Sequence, residues 1–203
     1  TSWVVVPLTY DRAMVDAAIE KVTGNGLTFL DLTQLSEGPS GPANLRHRAA
    51  NAFPTAYETI NGLERVKNKR KAVIWVSQGY DFNPFEGARR GTDRVFGGRY
   101  GSPTREMIRD DENPFFRSAN VFADTDLHAQ LQEITHAANR ANATLFTIDP
   151  RGLVGTTDAG QQIDQDEWTT HIQKTQGSMR TLAENTGGFA VLNANDFGPA
   201  LSR

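Results

Sequence analysis

The sequence predicts an α/β domain built on a doubly wound, mainly parallel sheet with helices on both of its faces. Short apolar runs rich in β-branched residues alternate with stretches of helical spacing, which is typical of parallel sheets. A length of 203 residues fits one domain spanning 1–203. A long segment without a clear period, 82–120, follows the strand that ends near Val76, and we interpret it as an insert within that domain.

The first part of the chain predicts a strand and two or more helices. The apolar run Trp3–Leu8 predicts a strand, and either Thr9 or Asp11 is a suitable N-cap for the helix that follows. Helical spacing returns at Phe29–Leu35 and again at Leu45–Val66.

The alternation continues to the end of the chain. The predicted elements are a buried strand at Ala72–Val76, a helix at Leu127–Asn142, a buried strand at Ala143–Ile148, a helix from about Asp166 to Thr186, a strand at Phe189–Leu192 and a last helix starting at Asn195. Asp149 ends the second of these buried strands. We expect it to stabilise a turn, by pairing with Arg151 or by capping the next segment, rather than to act in catalysis.

Composition restricts the classes of partner. The hydrophobic fraction of 38%, the charged fraction of 22% and the net charge of −3 give no reason to expect nucleic acid or an anionic membrane surface. No cysteine is present, which excludes disulfides and thiolate metal sites and suits an extracytoplasmic protein, periplasmic or secreted. No apolar run approaches the roughly 20 residues of a membrane span.

The residues do not form a recognisable catalytic motif. His128 and His136 lie eight positions apart on one predicted helix, so they do not form the i, i+4 pair of a zinc protease, and we expect them on the surface. Ser77 follows a strand, but the chain lacks a glycine-x-serine-x-glycine turn and offers no clear base partner for it. We therefore expect a protein that is not an enzyme.

Four stretches together resemble the von Willebrand factor type A domain, in particular its bacterial, acidobacterial-type VWFA-related branch. They are LTYDR at 8–12, SQGYDF at 77–82, ANATLFTIDPRGL at 141–153 and LAENTGGFAVLNANDFGPAL at 182–201. The resemblance covers nearly the whole chain outside the 82–120 insert. It implies a Rossmann-like sheet that here lacks the first strand of the family and the aspartate-x-serine-x-serine metal loop after it.

The resemblance also implies a degenerate metal site. Thr28 matches the threonine of the family's second metal loop, whereas Gln78 stands where the third loop carries an aspartate. We expect no cofactor, and Mg²⁺ only if upstream residues complete a site with Thr28 and Asp81. The amide of Gln78 is expected to hydrogen-bond the loop backbone instead.

The implied function is non-catalytic protein–protein interaction of the adhesion type. The predicted partner-binding residues are Thr28, Gln78, Asp81, Phe82, Phe85, Arg89 and Arg90. The insert that carries several of them is rich in arginine and aromatic residues, which are enriched at interfaces, although a merely solvated loop has the same composition. The alternatives are a structural or accessory subunit of a larger assembly, which covers the strand edge left open at Ala72–Val76, and a hydrolase whose active site lies upstream.

Overall fold

The computed structural model describes residues 6, 8–21, 43–85, 114–154 and 164–202. In chain order the elements are α1 (Arg12–Ile19), α2 (Ala43–Leu63), β1 (Lys71–Val76), α3 (Pro114–Arg140), β2 (Ala143–Ile148), α4 (Gln165–Glu184), β3 (Ala190–Val191) and α5 (Gly198–Leu201). Helices and strands alternate from α2 onward, as expected for an α/β protein.

The three strands form a parallel sheet in the order β1-β2-β3. Lys71 to Val76 pair in register with Ala143 to Ile148, and Thr147 and Ile148 pair with Ala190 and Val191. Parallel neighbours need a crossover connection, and α3 and α4 are the helices within the two connections. The predicted parallel arrangement of these strands is confirmed.

The core lies between one face of the sheet and the helices α2, α3 and α4. Buried apolar side chains from these elements form a single cluster: Ala49, Phe53 and Ile60 of α2, Leu127, Leu131, Ile134, Ala137 and Ala138 of α3, Ala141 just after it, Ala143 and Leu145 of β2, and Leu182 of α4. On α2 and α3 these residues are separated by three, four or seven positions, so they lie on one face of each helix and form the apolar stripe that faces the sheet. The stripes predicted for α2 and α3 are confirmed.

The sequence predicted that strand β1 is buried on both faces, but in the structure only one face is covered by described residues. Val73 and Trp75 pack against the core cluster, but the alternate residues Ile74 and Val76 are 58% and 62% exposed. The reason is that α2, α3 and α4 contact the face of Val73 and Trp75, and no described helix covers the opposite face of β1. Helix α1 contributes no buried residue to either face.

Helix α3 begins thirteen residues earlier than predicted, at Pro114 instead of Leu127. The C-terminal end of the presumed 82–120 insert is therefore helical. Proline at the first helical position is favourable because its ring presets φ and its missing N–H has no intrahelical acceptor there. The position of Pro114 is therefore consistent with the earlier start of α3.

The remaining predicted elements differ in smaller ways. Asp11 caps α1 as expected, its Oδ1 accepting the backbone N–H groups of Ala13 at 3.0 Å and Met14 at 3.3 Å. Val6 and Leu8 lie in bends and not in a strand, and the rest of the strand predicted at 3–8 lies outside the described residues. The helix predicted at 29–35 also lies outside them. Helix α5 begins at Gly198, three residues after the predicted start.

Candidate functional site

The carboxyl ends of β1 and β2 lie side by side. Val76 pairs with Ile148, and the N–H of Ser77 continues the ladder by donating to the Ile148 carbonyl at 3.1 Å. The loops that leave these two strands, 77–85 and 149–154, therefore start from the same edge of the sheet. This edge is where open α/β sheets bind ligands, and it is the candidate site.

The loop after β2 is organised by one buried ion pair. The carboxylate of Asp149 is completely buried. It accepts hydrogen bonds from Nε of Arg151 at 2.9 Å and from Nη2 of the same residue at 2.7 Å. The same carboxylate accepts the backbone N–H of Arg151 at 3.0 Å. Nη2 also donates to Thr175 Oγ1 on α4 at 3.1 Å. The predicted pairing of Asp149 with Arg151 is confirmed, and it anchors this corner to α4.

The loop after β1 is held closely against α4. Gly79 has φ of +81°, and a Cβ on it would collide with the backbone carbonyl of Thr175, so only glycine fits this approach. The N–H of Tyr80 donates to Ser178 Oγ at 2.9 Å, and the N–H of Gly79 donates to Ser77 Oγ at 3.1 Å. These two serine hydroxyls satisfy the backbone N–H groups of Gly79 and Tyr80.

Gln78 lies between these contacts and is exposed. Its side-chain amide makes no hydrogen bond within the part of the chain that the structure describes. The expectation that this amide holds the loop backbone is therefore wrong for the described contacts, because Ser77 and Ser178 already occupy the two neighbouring N–H groups. Gln78 instead presents its amide outward at the carboxyl edge.

Asp81 turns into the protein and pairs with a histidine that is distant in sequence. Its Oδ2 lies 2.9 Å from Nδ1 of His171 on α4, and its Oδ1 accepts the backbone N–H of Asn83 at 3.1 Å. The side chains of Asp81 and His171 are only 2% and 12% exposed. The imidazole ring also contacts Phe85, with ring centroids 4.6 Å apart. The carboxylate thus bridges loop 77–85 and α4.

Tyr80 packs on the other side of this loop against Phe53 and Trp75, with ring centroids 4.5 and 6.5 Å away. Burial raises the pKa of the Tyr80 phenol above its ordinary value of 10.0, and hydrogen bonding to Ser77 and Trp75 partly opposes the rise. The phenol is therefore an anchor in its neutral form.

The predicted partner-binding residues lie in different environments. Among them, only Gln78 is both described and exposed, whereas Asp81, Phe82 and Phe85 are 4%, 2% and 3% exposed. Phe82 and Phe85 consequently present little surface to a partner in this conformation. Thr28, Arg89 and Arg90 lie outside the described residues. That this set binds a partner stays a prediction.

Within the described ranges, no group of three or more histidine, aspartate or glutamate side chains converges in a way that could hold a metal ion. His128 and His136 are exposed on α3, as predicted. None of the described helices is both long enough and apolar enough to span a bilayer.

The sequence analysis missed His171 as a site residue. It lies 90 residues from Asp81 in the chain, and nothing in its local pattern distinguishes it from a surface histidine of an amphipathic helix. Only the docking of α4 against loop 77–85 brings the pair together.

Comparison of the chain with family models, with curated proteins and with solved structures finds no match.

Proposed function

We propose that the chain is a non-catalytic, von Willebrand factor A-like interaction domain that binds a protein partner at the carboxyl edge of its sheet, in an extracytoplasmic setting. The observation that carries the proposal is the direction of Asp81. The only acidic residue of the described loop 77–85 is buried against His171 and the Asn83 amide, so the edge displays the neutral amide of Gln78. A neutral edge of this kind supports recognition by hydrogen bonding without a bridging metal ion.

The wider architecture in this proposal is a doubly wound sheet that extends beyond the three described strands. Two features support it. Parallel sheets are normally covered on both faces, yet Ile74 and Val76 of β1 remain exposed opposite α2, α3 and α4. In addition, β1 has a hydrogen-bonded neighbour on one side only among the described strands.

Site-specific photocrosslinking tests the binding surface. A benzophenone amino acid replaces Gln78 in the chain, and a matched chain carries it at the exposed Glu133 on α3. The expected result is a discrete protein adduct from position 78 that position 133 does not form. Identical adducts from both positions, or none from position 78 in the source organism, contradict the proposed surface.

Calorimetry tests the proposed loss of the metal site. Titration of Mg²⁺ or Mn²⁺ into the chain is expected to release no binding heat and to leave the melting temperature unchanged, because Asp81 is already engaged by His171. A saturable heat that disappears in Gln78→Ala contradicts the degenerate-site part of the proposal and leaves the protein-binding part standing.

A second function, that of a structural subunit in a larger assembly, is favoured by the exposed apolar side chains on β1. Ile74 and Val76 are adjacent on one face of a strand at the side of the described sheet, an arrangement that promotes association. Light scattering should then show self-association of the chain that Ile74→Lys with Val76→Lys abolishes, while Glu133→Lys does not. A monodisperse monomer argues against this function.

A further inference from the structure

The connection between α2 and β1, residues 64–71, is a basic turn. It holds five lysine and arginine side chains against the single carboxylate of Glu64, although the chain as a whole has a net charge of −3. The residues outside the turn therefore carry a larger negative excess than the whole chain. Arg140 lies at the same end of the sheet as the turn, because α3 ends three residues before the strand that pairs with β1. Positive charge is thus concentrated at the amino end of the strands.

The backbone of the basic turn is fixed at both ends by hydrogen bonds. Where α2 ends, the N–H of Val66 donates to the Leu63 carbonyl at 3.0 Å, and where β1 starts, the N–H of Lys71 donates to the Asn142 carbonyl at 3.1 Å. Between these points Asn68 has a φ of +61°, a left-handed conformation that asparagine adopts more readily than most residues. The fold therefore sets the positions from which the side chains of the turn extend.

Four of the five cations in the basic turn are exposed to solvent: Arg65, Lys67, Lys69 and Arg70. None of the four makes a side-chain hydrogen bond or an ion pair with another described residue. Lys71 differs, because its Nζ donates to the Ala141 carbonyl at 2.6 Å. A helix dipole favours cations at the helix C-terminus, but this effect falls off within one turn. It does not account for Lys69 and Arg70, which lie six and seven residues beyond the end of α2.

The surroundings of the basic turn discriminate between classes of polyanion. Among the described residues, none of the exposed large apolar side chains lies in the turn, so it offers no apolar anchor for a bilayer. The turn also has no aromatic ring on which a nucleic acid base could stack. A long polyanion would extend beyond the turn onto a chain of net negative charge, whereas a short acidic segment contacts the turn alone. These observations favour a run of aspartate or glutamate side chains.

We propose that the basic turn is a binding surface for an acidic segment of a partner protein. The guanidinium groups of Arg65 and Arg70 can each bind a carboxylate through two parallel hydrogen bonds, and Lys67 and Lys69 add two point charges. The segment carries several carboxylates in succession, because a single exposed pair contributes little. The surface lies at the opposite end of β1 from Gln78, so it does not depend on the proposed function.

Fluorescence anisotropy of a labelled hexaglutamate peptide, titrated with the whole chain at about 50 mM salt, tests the surface under weak screening. We expect saturable binding that hexaglutamine does not show and that weakens about tenfold or more at about 300 mM salt. The amide shifts caused by the peptide should be largest in residues 64–71. Absence of binding, equal binding of hexaglutamine, or shifts that leave the basic turn unaffected overturn the proposal.

Charge reversal within the basic turn is compared with charge reversal outside it. Arg70→Glu and Lys67→Glu are each expected to weaken hexaglutamate binding about three- to tenfold. Arg180→Glu, at an exposed position of α4, is the matched control and should change the affinity by about twofold or less. Because none of these three side chains has a described partner, all variants should keep the wild-type melting temperature. Wild-type affinity in both turn variants, or an equal loss in the control, overturns the proposal.

Phosphatidylserine-containing vesicles and a short oligothymidylate, compared with hexaglutamate at equal concentrations of negative charge, test the class of partner. Weaker binding of both than of hexaglutamate supports an acidic protein segment. Tighter binding of the vesicles identifies a membrane surface, and tighter binding of the oligothymidylate identifies nucleic acid; either result overturns the proposal. Crosslinking at position 78 reports on the opposite end of the sheet, so failure of either test leaves the other interpretable.

Discussion

The loops that follow β1 and β2 each bury an aspartate, but they hold it in different ways. Asp149 finds its cation two residues along the same loop, whereas Asp81 pairs with His171 on α4, 90 residues away. The loop after β2 thus contains both members of its ion pair, although Arg151 also donates to Thr175 Oγ1 on α4. The loop after β1 takes its shape from α4, which also receives Tyr80 and approaches Gly79.

At this edge of the sheet, one buried aspartate therefore has its partner in the same loop, and the other has its partner on a helix that is distant in sequence. Substitutions at Asp81 should therefore loosen the docking of α4 against loop 77–85, whereas substitutions at Asp149 should break an ion pair that lies within one loop. The four predictions below test this distinction, beginning with the largest expected effect.

Removal of the Asp149 carboxylate should have the largest effect on stability. Asp149→Ala leaves the guanidinium of Arg151, whose side chain is 17% exposed, without its buried partner, and should lower the free energy of unfolding by about 3–5 kcal/mol. Urea denaturation followed by circular dichroism measures the change. Asp124→Ala, which breaks the exposed pair with Lys174, is the matched control and should cost at most about 1 kcal/mol. Equal losses of unfolding free energy in both variants would contradict the prediction that the buried pair stabilises the fold more than the exposed pair.

Alanine at Gly79 should be worse than alanine at Gly152. Both glycines have positive φ, +81° and +70°, and each substitution carries about 1–3 kcal/mol of backbone strain. At Gly79 the added methyl group also meets the backbone of Thr175, which cannot move without displacing α4, whereas at Gly152 it meets the side chain of Asn195. Chemical denaturation of the two variants gives the comparison. A Gly152→Ala variant that is the less stable of the two contradicts the tight docking of loop 77–85.

A double-mutant cycle on Asp81→Asn and His171→Phe should give a coupling free energy of about 1–3 kcal/mol. The two side chains share a buried hydrogen bond of 2.9 Å, so removing the second partner should cost less than removing the first. Hydrogen exchange of α4 should increase in both single variants. Strict additivity of the two losses, with unchanged exchange, means that the pair does not tie the loop to α4.

The smallest effect concerns pH and Tyr80. Because the pKa of the folded phenol is raised above 10.0, the folded chain binds more protons than the unfolded chain once the pH exceeds about 10. The contribution of Tyr80 is therefore fully present below pH of about 10 and is lost as the pH rises further. Unfolding free energies measured from neutral to alkaline pH should decline less steeply in Tyr80→Phe. Tyr10→Phe, at a fully exposed position, should leave the decline unchanged.

Several parts of the fold could be predicted from local patterns. Apolar spacing indicated the core positions Phe53, Leu131 and Leu145, and the order of strands and helices indicated a parallel sheet. The proximity of Asp149 and Arg151 in the chain indicated their pairing. Periodicity, capping and short-range pairing act over a few residues, so the sequence displays them directly.

Two features of β1 and of the loop after it could not be predicted from local sequence patterns. The run Ala72–Val76 predicts burial on both faces, yet exposure of Ile74 and Val76 depends on which side the helices pack. Gln78 and Asp81 are both polar residues in one loop, and the sequence does not indicate that one faces outward and the other inward. The positions of neighbouring elements decide both.

By itself, the sequence determined the α/β class, the helical stripes of α2 and α3, the parallel arrangement of the described strands and the Asp149–Arg151 corner. Apolar periodicity, the alternation of strands with helices and the pairing of close neighbours can all be recognised along the chain. The tertiary structure alone decided that α4 lies against loop 77–85. The pairing of Asp81 with His171 is a consequence of that packing. Asp81 and His171 are 90 residues apart in the chain, and their side chains come within 2.9 Å only because the helices pack around a common core. Local sequence patterns extend over a few residues and therefore cannot predict this contact.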